Sequence, residues 1–171
     1  MFFFTFGGAW LEYFVFRAMK QPVAFAVVGL VTAGLVGFAY QRYRRHRPAL
    51  AAEIPSVKRR RADRIFHIVN VGQWVVILVA GNVLVNLGLS AWVIPSVIFI
   101  VGLHLLPLAY FMEIPPHYVT GLALMAFAAV YPFLADGGPA SPIGCLGAGL
   151  ILWASAGWAM RGKDAPATLL D

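Results

Sequence analysis

"VAFAVVGLVTAGLVGFAY", residues 23–40, runs for eighteen residues without one charge and is apolar on every face. A water-facing helix would keep a polar stripe, and a barrel strand would alternate apolar and polar over about 10 residues. This stretch does neither. Its solvent must be lipid, where each unpaired backbone group costs several kcal/mol, so it has to cross as a helix. About 20 residues at 1.5 Å rise cover a hydrocarbon core of roughly 30 Å. By that measure six stretches qualify as spans: about 2–19, 22–41, 65–88, 92–112, 116–134 and 142–161. The expected fold is all-α, a polytopic transmembrane helical bundle forming one domain. Composition agrees, with 61% hydrophobic and 12% charged residues, against about 25% charged in an ordinary soluble domain.

Charge sets the orientation. Of the 13 Lys and Arg, nine lie in residues 42–64: Arg42, Arg44, Arg45, Arg47, Lys58, Arg59, Arg60, Arg61 and Arg64. Only Glu53 and Asp63 oppose them, so this stretch is net +7 within a chain of net +6. Basic residues in short loops stay on the cytoplasmic side, which makes this connector cytoplasmic and, with six spans, both termini as well. The turns near 89–91 and 135–141 carry no Lys or Arg, as external turns should, and Arg161 and Lys163 lie in the tail. Arg17 and Lys20 depart from the rule, so an interfacial or re-entrant first segment is the alternative there. That segment, "MFFFTFGGAWLEYFVFRAMK", lacks the basic start and cleavage site of a signal peptide and is expected to stay in the mature protein. The basic cluster also suits anionic inner-leaflet lipid at about 1 kcal/mol per cation, the expected partner. A nucleic-acid partner is not expected.

Gly and Pro mark the turns: Pro22 opens span two, Pro95 lies in the first turn of span four, and "EIPPH" (113–117) and "DGGPASP" (136–142) close tight connections. "RPALAAEIPS" (47–56) reads as a linker before a basic helical extension of span three. A shift of 94 positions lays Gly8 on Gly102 and Pro22 on Pro116, as an inverted repeat of three spans would. Helix pairs commonly carry Gly and Pro at their ends, so two matches also fit coincidence.

The candidate chemistry is intramembrane. His104 stands about 13 Å from the inner end of span four. Pro107, three residues on, frees the carbonyl of Leu103 beside it. Such a ring either fastens the bundle by donating to a neighbouring helix or handles a proton or ligand. Glu12 is the one acid well inside a span, and a Glu12–His104 pair sharing a hydrated cavity would serve a proton or solute transporter. Span three carries Asn70, Gln73, Asn82 and Asn86, at roughly 300°, 240°, 60° and 100° from His67 around the helix. These four do not form one stripe, which places span three among several neighbours. His67, Glu113 and His117 gather at the inner face, where a lipid-headgroup-modifying enzyme would need them. In span six Gly144, Gly147, Ala148 and Ile151 offer a close-packing face, within the chain or in a homo-oligomer.

Phosphate-loop, zinc-protease, nucleophile-elbow and paired-cysteine motifs are all missing, and the lone Cys145 excludes an intrachain disulfide. No cofactor and no metal are expected, and catalysis has no visible foothold. The run "RIFHIVNVGQW" through "IPSVIFIVGLHLLPLAYFMEIPPHYVTG" (64–121), about a third of the chain, resembles the shared core of a family of small bacterial membrane proteins. That family carries a GLHFLPLA-like span followed by a Pro and aromatic turn; here the span reads Gly102, Leu103, His104, Leu105, Leu106, Pro107, with Leu105 in place of the aromatic. The resemblance implies a bacterial inner-membrane protein and no mechanism. The expected role is a non-catalytic membrane component, possessing a partner protein or a second copy, with the transporter as the alternative.

Overall fold

The computed structural model describes the backbone of residues 2–51 and 57–161, with side chains for all of these except 46–51, 57–63 and 161. Its regular structure is helical throughout: α1 (Phe2–Phe14), α2 (Pro22–Ala51), α3 (Val57–Asn86), α4 (Val93–Met112), α5 (Pro116–Leu134) and α6 (Ile143–Arg161). Five of them contain segments long and apolar enough to cross a membrane, namely Pro22–Arg45, Arg64–Asn86, Ser90–Met112, Pro116–Leu134 and Ile143–Met160. The all-α bundle expected from sequence is the fold of this protein.

The first expected span is divided. α1 is followed directly by a π-helical turn, Val15–Met19, which Lys20 ends with φ 52. Together they occupy residues 2–19, antiparallel to α6: the Trp153 indole donates to the Phe4 carbonyl at 3.1 Å, and Leu11 packs onto Gly149. α1 therefore runs through the same layer as α6, and Arg17 and Lys20 end up beside the start of α6, at the end of the bundle opposite the basic connector. That connector is also more regular than expected. α2 continues through Arg47 to Ala51, and α3 begins at Val57, so the linker reading of 47–56 gives way to helix at 47–51. A basic helical extension of span three is present, since α3 starts seven residues before Arg64.

Glycines set the close approaches. Gly102 of α4 and Gly121 of α5 face each other so closely that a methyl group on either would come within 2.6–2.7 Å of the other's carbonyl oxygen. In α6, Gly144 and Gly147 seat the rings of Tyr131 and Phe127 from α5, which stack at 5.1 Å, while Gly149 meets Gly7 and Leu11 of α1. The small-residue face of α6 is thus occupied inside the chain and is not left for a second copy. Thr120 donates to Ser155 Oγ at 2.8 Å, and Ser155 donates on to the Ile151 carbonyl at 2.8 Å, tying α5 to α6. The core lies here, with Ile98, Leu105, Leu124, Ala128, Tyr131, Ala148 and Leu152 fully or nearly fully buried.

The remaining helices are outriders. α2 packs on α1, where Gly8 fits beneath Thr32, and α3 packs on α4. The order of contact is α2, α1, α6, α5, α4, α3, bent so that α1 and α3 face each other across α4 without closing. Exchanging the two halves of the chain preserves several of these pairings: α1 with α2 becomes α4 with α5, and α1 with α6 becomes α4 with α3. Gly8 and Gly102, matched by the 94-residue shift, both lie at the close approach of such a pair. Among the described residues the α5–α6 contact has no comparable α2–α3 counterpart, so the halves are unequally closed.

Candidate functional site

The gap between α1 and α3 is a groove of about 540 Å³ with α4 as its floor. Each helix contributes a stripe at helical spacing. α1 presents Phe2, Phe3, Phe6, Ala9, Trp10 and Tyr13; α3 presents Phe66, Asn70, Gln73, Trp74 and Ile77; α4 presents Ile94, Val97, Val101, His104, Leu105, Leu108 and Met112. Intervals of three and four residues put each set on one face. His117 of α5 and Leu152 of α6 complete the lining. Most of this surface is aliphatic or aromatic, and its polar groups stand in a graded row. His117 lies at the α4–α5 end, 5.2 Å from the ring of Phe3. Asn70 lies about 9 Å along α3 from Arg64, while Gln73, about 13 Å along it, and His104, about 12 Å from the end of α4, stand at matching depth.

Hydrogen bonding distinguishes these groups. His104 Nδ1 lies 2.5 Å from the Val101 carbonyl of its own helix. A carbonyl only accepts, so Nδ1 carries the hydrogen and, in the neutral ring, Nε2 remains an acceptor. The expected bond to a neighbouring helix is therefore absent, and so is one to the Leu103 carbonyl freed by Pro107: the ring reaches Val101, a turn back along its own helix, while Leu103 is half exposed. Gln73 Oε1 and His117 Nδ1 are buried and have no hydrogen-bond partner among the described residues. Both residues line the groove.

The other sequence-derived candidates go elsewhere. Glu12 turns away from the groove toward α2, its Oε1 so near Gly29 that a methyl group there would stand 3.2 Å from it. Glu12 and His104 thus serve different surfaces of α1 and α4, and the shared cavity expected for them does not form. Asn82 and Asn86 are exposed on α3, away from the Asn70 and Gln73 face, and the place among several neighbours expected for span three is not the one it takes: α3 packs on α4 at the edge of the bundle, with its outer polar residues facing outward. Of the inner-face trio only His117 enters the groove. His67 is exposed, edge-on to Phe66, and Glu113 sits exposed in the α4–α5 turn with φ 54. Among the described residues no three His, Cys, Asp or Glu side chains gather as a metal site. In the basic cluster, Arg44, Arg45 and Arg64 are exposed and Arg42 is half-buried. The side chains of Arg47, Lys58, Arg59, Arg60 and Arg61 lie outside the described residues.

Sequence reasoning missed the aromatic wall on α1. Its signal was present, because Phe3, Phe6, Trp10 and Tyr13 recur at three and four residues. In a span that is apolar all round, such a stripe does not separate a ligand wall from a lipid face.

The fold and groove define a class: a multi-pass α-helical membrane bundle with a side groove, aromatic-walled and polar to about mid-depth. No family model, curated protein or solved structure matches the chain.

Proposed function

We propose that this chain is a non-catalytic, multi-pass protein of a bacterial inner membrane that holds an amphiphilic molecule in the groove between α1 and α3. One observation carries this reading: the groove gathers four of the sequence's intramembrane and inner-face polar candidates, Asn70, Gln73, His104 and His117, against walls otherwise made for hydrocarbon and rings. A groove of about 540 Å³ falls within the usual range of roughly 300–1,000 Å³ for small-molecule sites, and an apolar lining with a few placed polar groups is their common form. Its side faces the bilayer, so a lipophile enters without crossing water. The basic connector on cytoplasmic anionic lipid fixes the polar end of the groove at the inner leaflet.

The groove also lies between α1 and α4, the two helices that the 94-residue shift equates, with Trp10 opposite the equivalent His104. Transporters built from inverted repeats bind at such a junction. That favours carriage of the amphiphile as the second reading. It does not favour the proton relay, because Glu12 faces α2.

The test is a comparison of the wild type with Ala9→Trp, which adds an indole at an exposed lining position. Both proteins are purified in mild detergent, extracted with organic solvent and assayed by mass spectrometry. The wild type should retain an amphiphile near one per chain and the variant should not. Equal retention by both, or none by the folded wild type, would refute the reading.

A further inference from the structure

We infer that the elbow between α1 and α2 is a second binding site, for an anionic phospholipid of the leaflet opposite the basic connector, with Arg17 and Lys20 holding its phosphodiester. The site is separate from the groove and stands independently of what the groove holds.

The elbow forms a cleft of about 880 Å³, open to one side, with Phe16, Arg17, Lys20, Gln21 and Phe25 in its lining and no residue shared with the groove. Local chemistry shapes it. The chain leaves α1 through the π-helical turn Val15–Met19, and Lys20 ends that turn in the left-handed conformation, φ 52, with its N–H on the Val15 carbonyl at 3.0 Å. Pro22 then opens α2, a position where no N–H is needed. The reversal sets two cations and two aromatic rings around one opening, all four side chains exposed.

The cleft carries charge without a counter-charge. Among the described residues neither Arg17 nor Lys20 makes an ion pair, and no acid lines the cleft. The turns at the same end of the bundle, 89–91 and 135–141, carry no Lys or Arg, so the elbow concentrates a positive charge that its surroundings lack. An anion between the two cations relieves their mutual repulsion. Arginine matches the paired oxygens of a phosphate, and lysine adds a point charge.

Depth and walls identify the anion's carrier. The apolar span of α2 begins at Pro22, so Arg17 and Lys20 stand at headgroup level. Phe16 and Phe25 flank them, and beyond the elbow α2 is apolar on every face over residues 23–40, a track for acyl chains. A soluble anion would meet the cations and leave the rings bare. A zwitterionic headgroup would bring a third cation to the cleft. An anionic phospholipid satisfies both the charge and the walls.

The test is photolabelling of the full-length protein in phosphatidylcholine vesicles, with phosphatidylglycerol or phosphatidylcholine carrying a diazirine on one acyl chain, followed by peptide mapping. Phosphatidylglycerol should label residues 15–30 saturably, with half-saturation at a mole fraction about fivefold below that of the phosphatidylcholine probe. Each cation near the surface is worth about fivefold in affinity, so Arg17→Gln with Lys20→Gln should raise the half-saturating fraction by about thirtyfold. Labelling at the connector, residues 42–64, should not change in that variant. Arg17→Lys should recover most of what Arg17→Gln loses. Unlabelled phosphatidylglycerol should displace the probe, and inorganic phosphate on both sides of the membrane should not. Equal labelling by the two lipids, labelling that rises without saturation, or labelling that survives in the double variant would overturn the inference. Displacement by inorganic phosphate would overturn the lipid and leave a soluble anion in its place. The comparison of the two lipids needs only the wild type, and far-ultraviolet circular dichroism establishes that each variant is folded.

Discussion

A carboxamide at mid-depth in a membrane helix is stabilised by the hydrogen bonds it makes, and Gln73 Oε1 makes none among the described residues. Its neighbour in depth, His104, bonds its own helix among the described residues. The His104 bond thus does not fasten one helix to another, the task that the Thr120–Ser155 bond performs between α5 and α6. Replacing Thr120 by Val breaks the hydrogen-bond chain between α5 and α6 and should lower thermal stability in micelles by roughly 0.6–1.5 kcal/mol, with affinity for the groove's amphiphile unaffected. His104→Ala should do the reverse, weakening that affinity several-fold at nearly constant melting temperature. Glu12→Gln should leave that affinity unchanged, because its carboxylate lies against Gly29 on the α2 side. A marked loss of binding in Glu12→Gln would mean that Glu12 communicates with the groove after all.

At the scale of elements, helices were readable and their partners were not. The uninterrupted apolar run of α2, the proline starts of α2 and α5 and the tight turn at Glu113 all follow from local chemistry. The polar residues of span three misled in this respect: their spread around the helix pointed to a place among several neighbours, whereas α3 packs on α4 at the edge of the bundle. In lipid, however, core-facing and solvent-facing surfaces are equally apolar, so periodicity does not reveal that α1 pairs with α6, a contact made by residues 149 positions apart. The groove depends on that pairing, because it draws α1 toward α6 and leaves α3 on the far side of α4. The glycine faces make the difference measurable. Gly102→Val would drive methyl groups into the Gly121 carbonyl and the Met125 side chain, and should lower stability by about 1–3 kcal/mol or prevent assembly of the bundle. Gly81→Ala on α3 meets open space and should leave the melting temperature within a degree or two or raise it, since alanine favours the helix by up to about 1 kcal/mol.

For the whole molecule, the inequality between halves is the organising feature. The second half closes α4, α5 and α6 around a common core, whereas the first leaves α2 and α3 as single-contact outriders, and the groove is the place where closure is missing. The orientation expected from the nine cations of residues 42–64 carries its own check. Single cysteines at Arg45 and Pro139, in a Cys145→Ala background, should label in opposite senses in sealed cells: Pro139→Cys from outside, and Arg45→Cys only after permeabilisation. Labelling of Arg45→Cys from outside would invert the map and move the polar end of the groove to the outer leaflet. Occupancy itself is read most directly by a photoactivatable fatty acid irradiated with the protein in nanodiscs, followed by peptide mapping of the adducts. The expected adducts fall on the groove-facing stripes of α1, α3 and α4, saturate with dose and disappear under excess unlabelled fatty acid. Adducts spread over exposed outer positions such as Leu30 and Leu134, rising without saturation, would show that the groove holds nothing of its own.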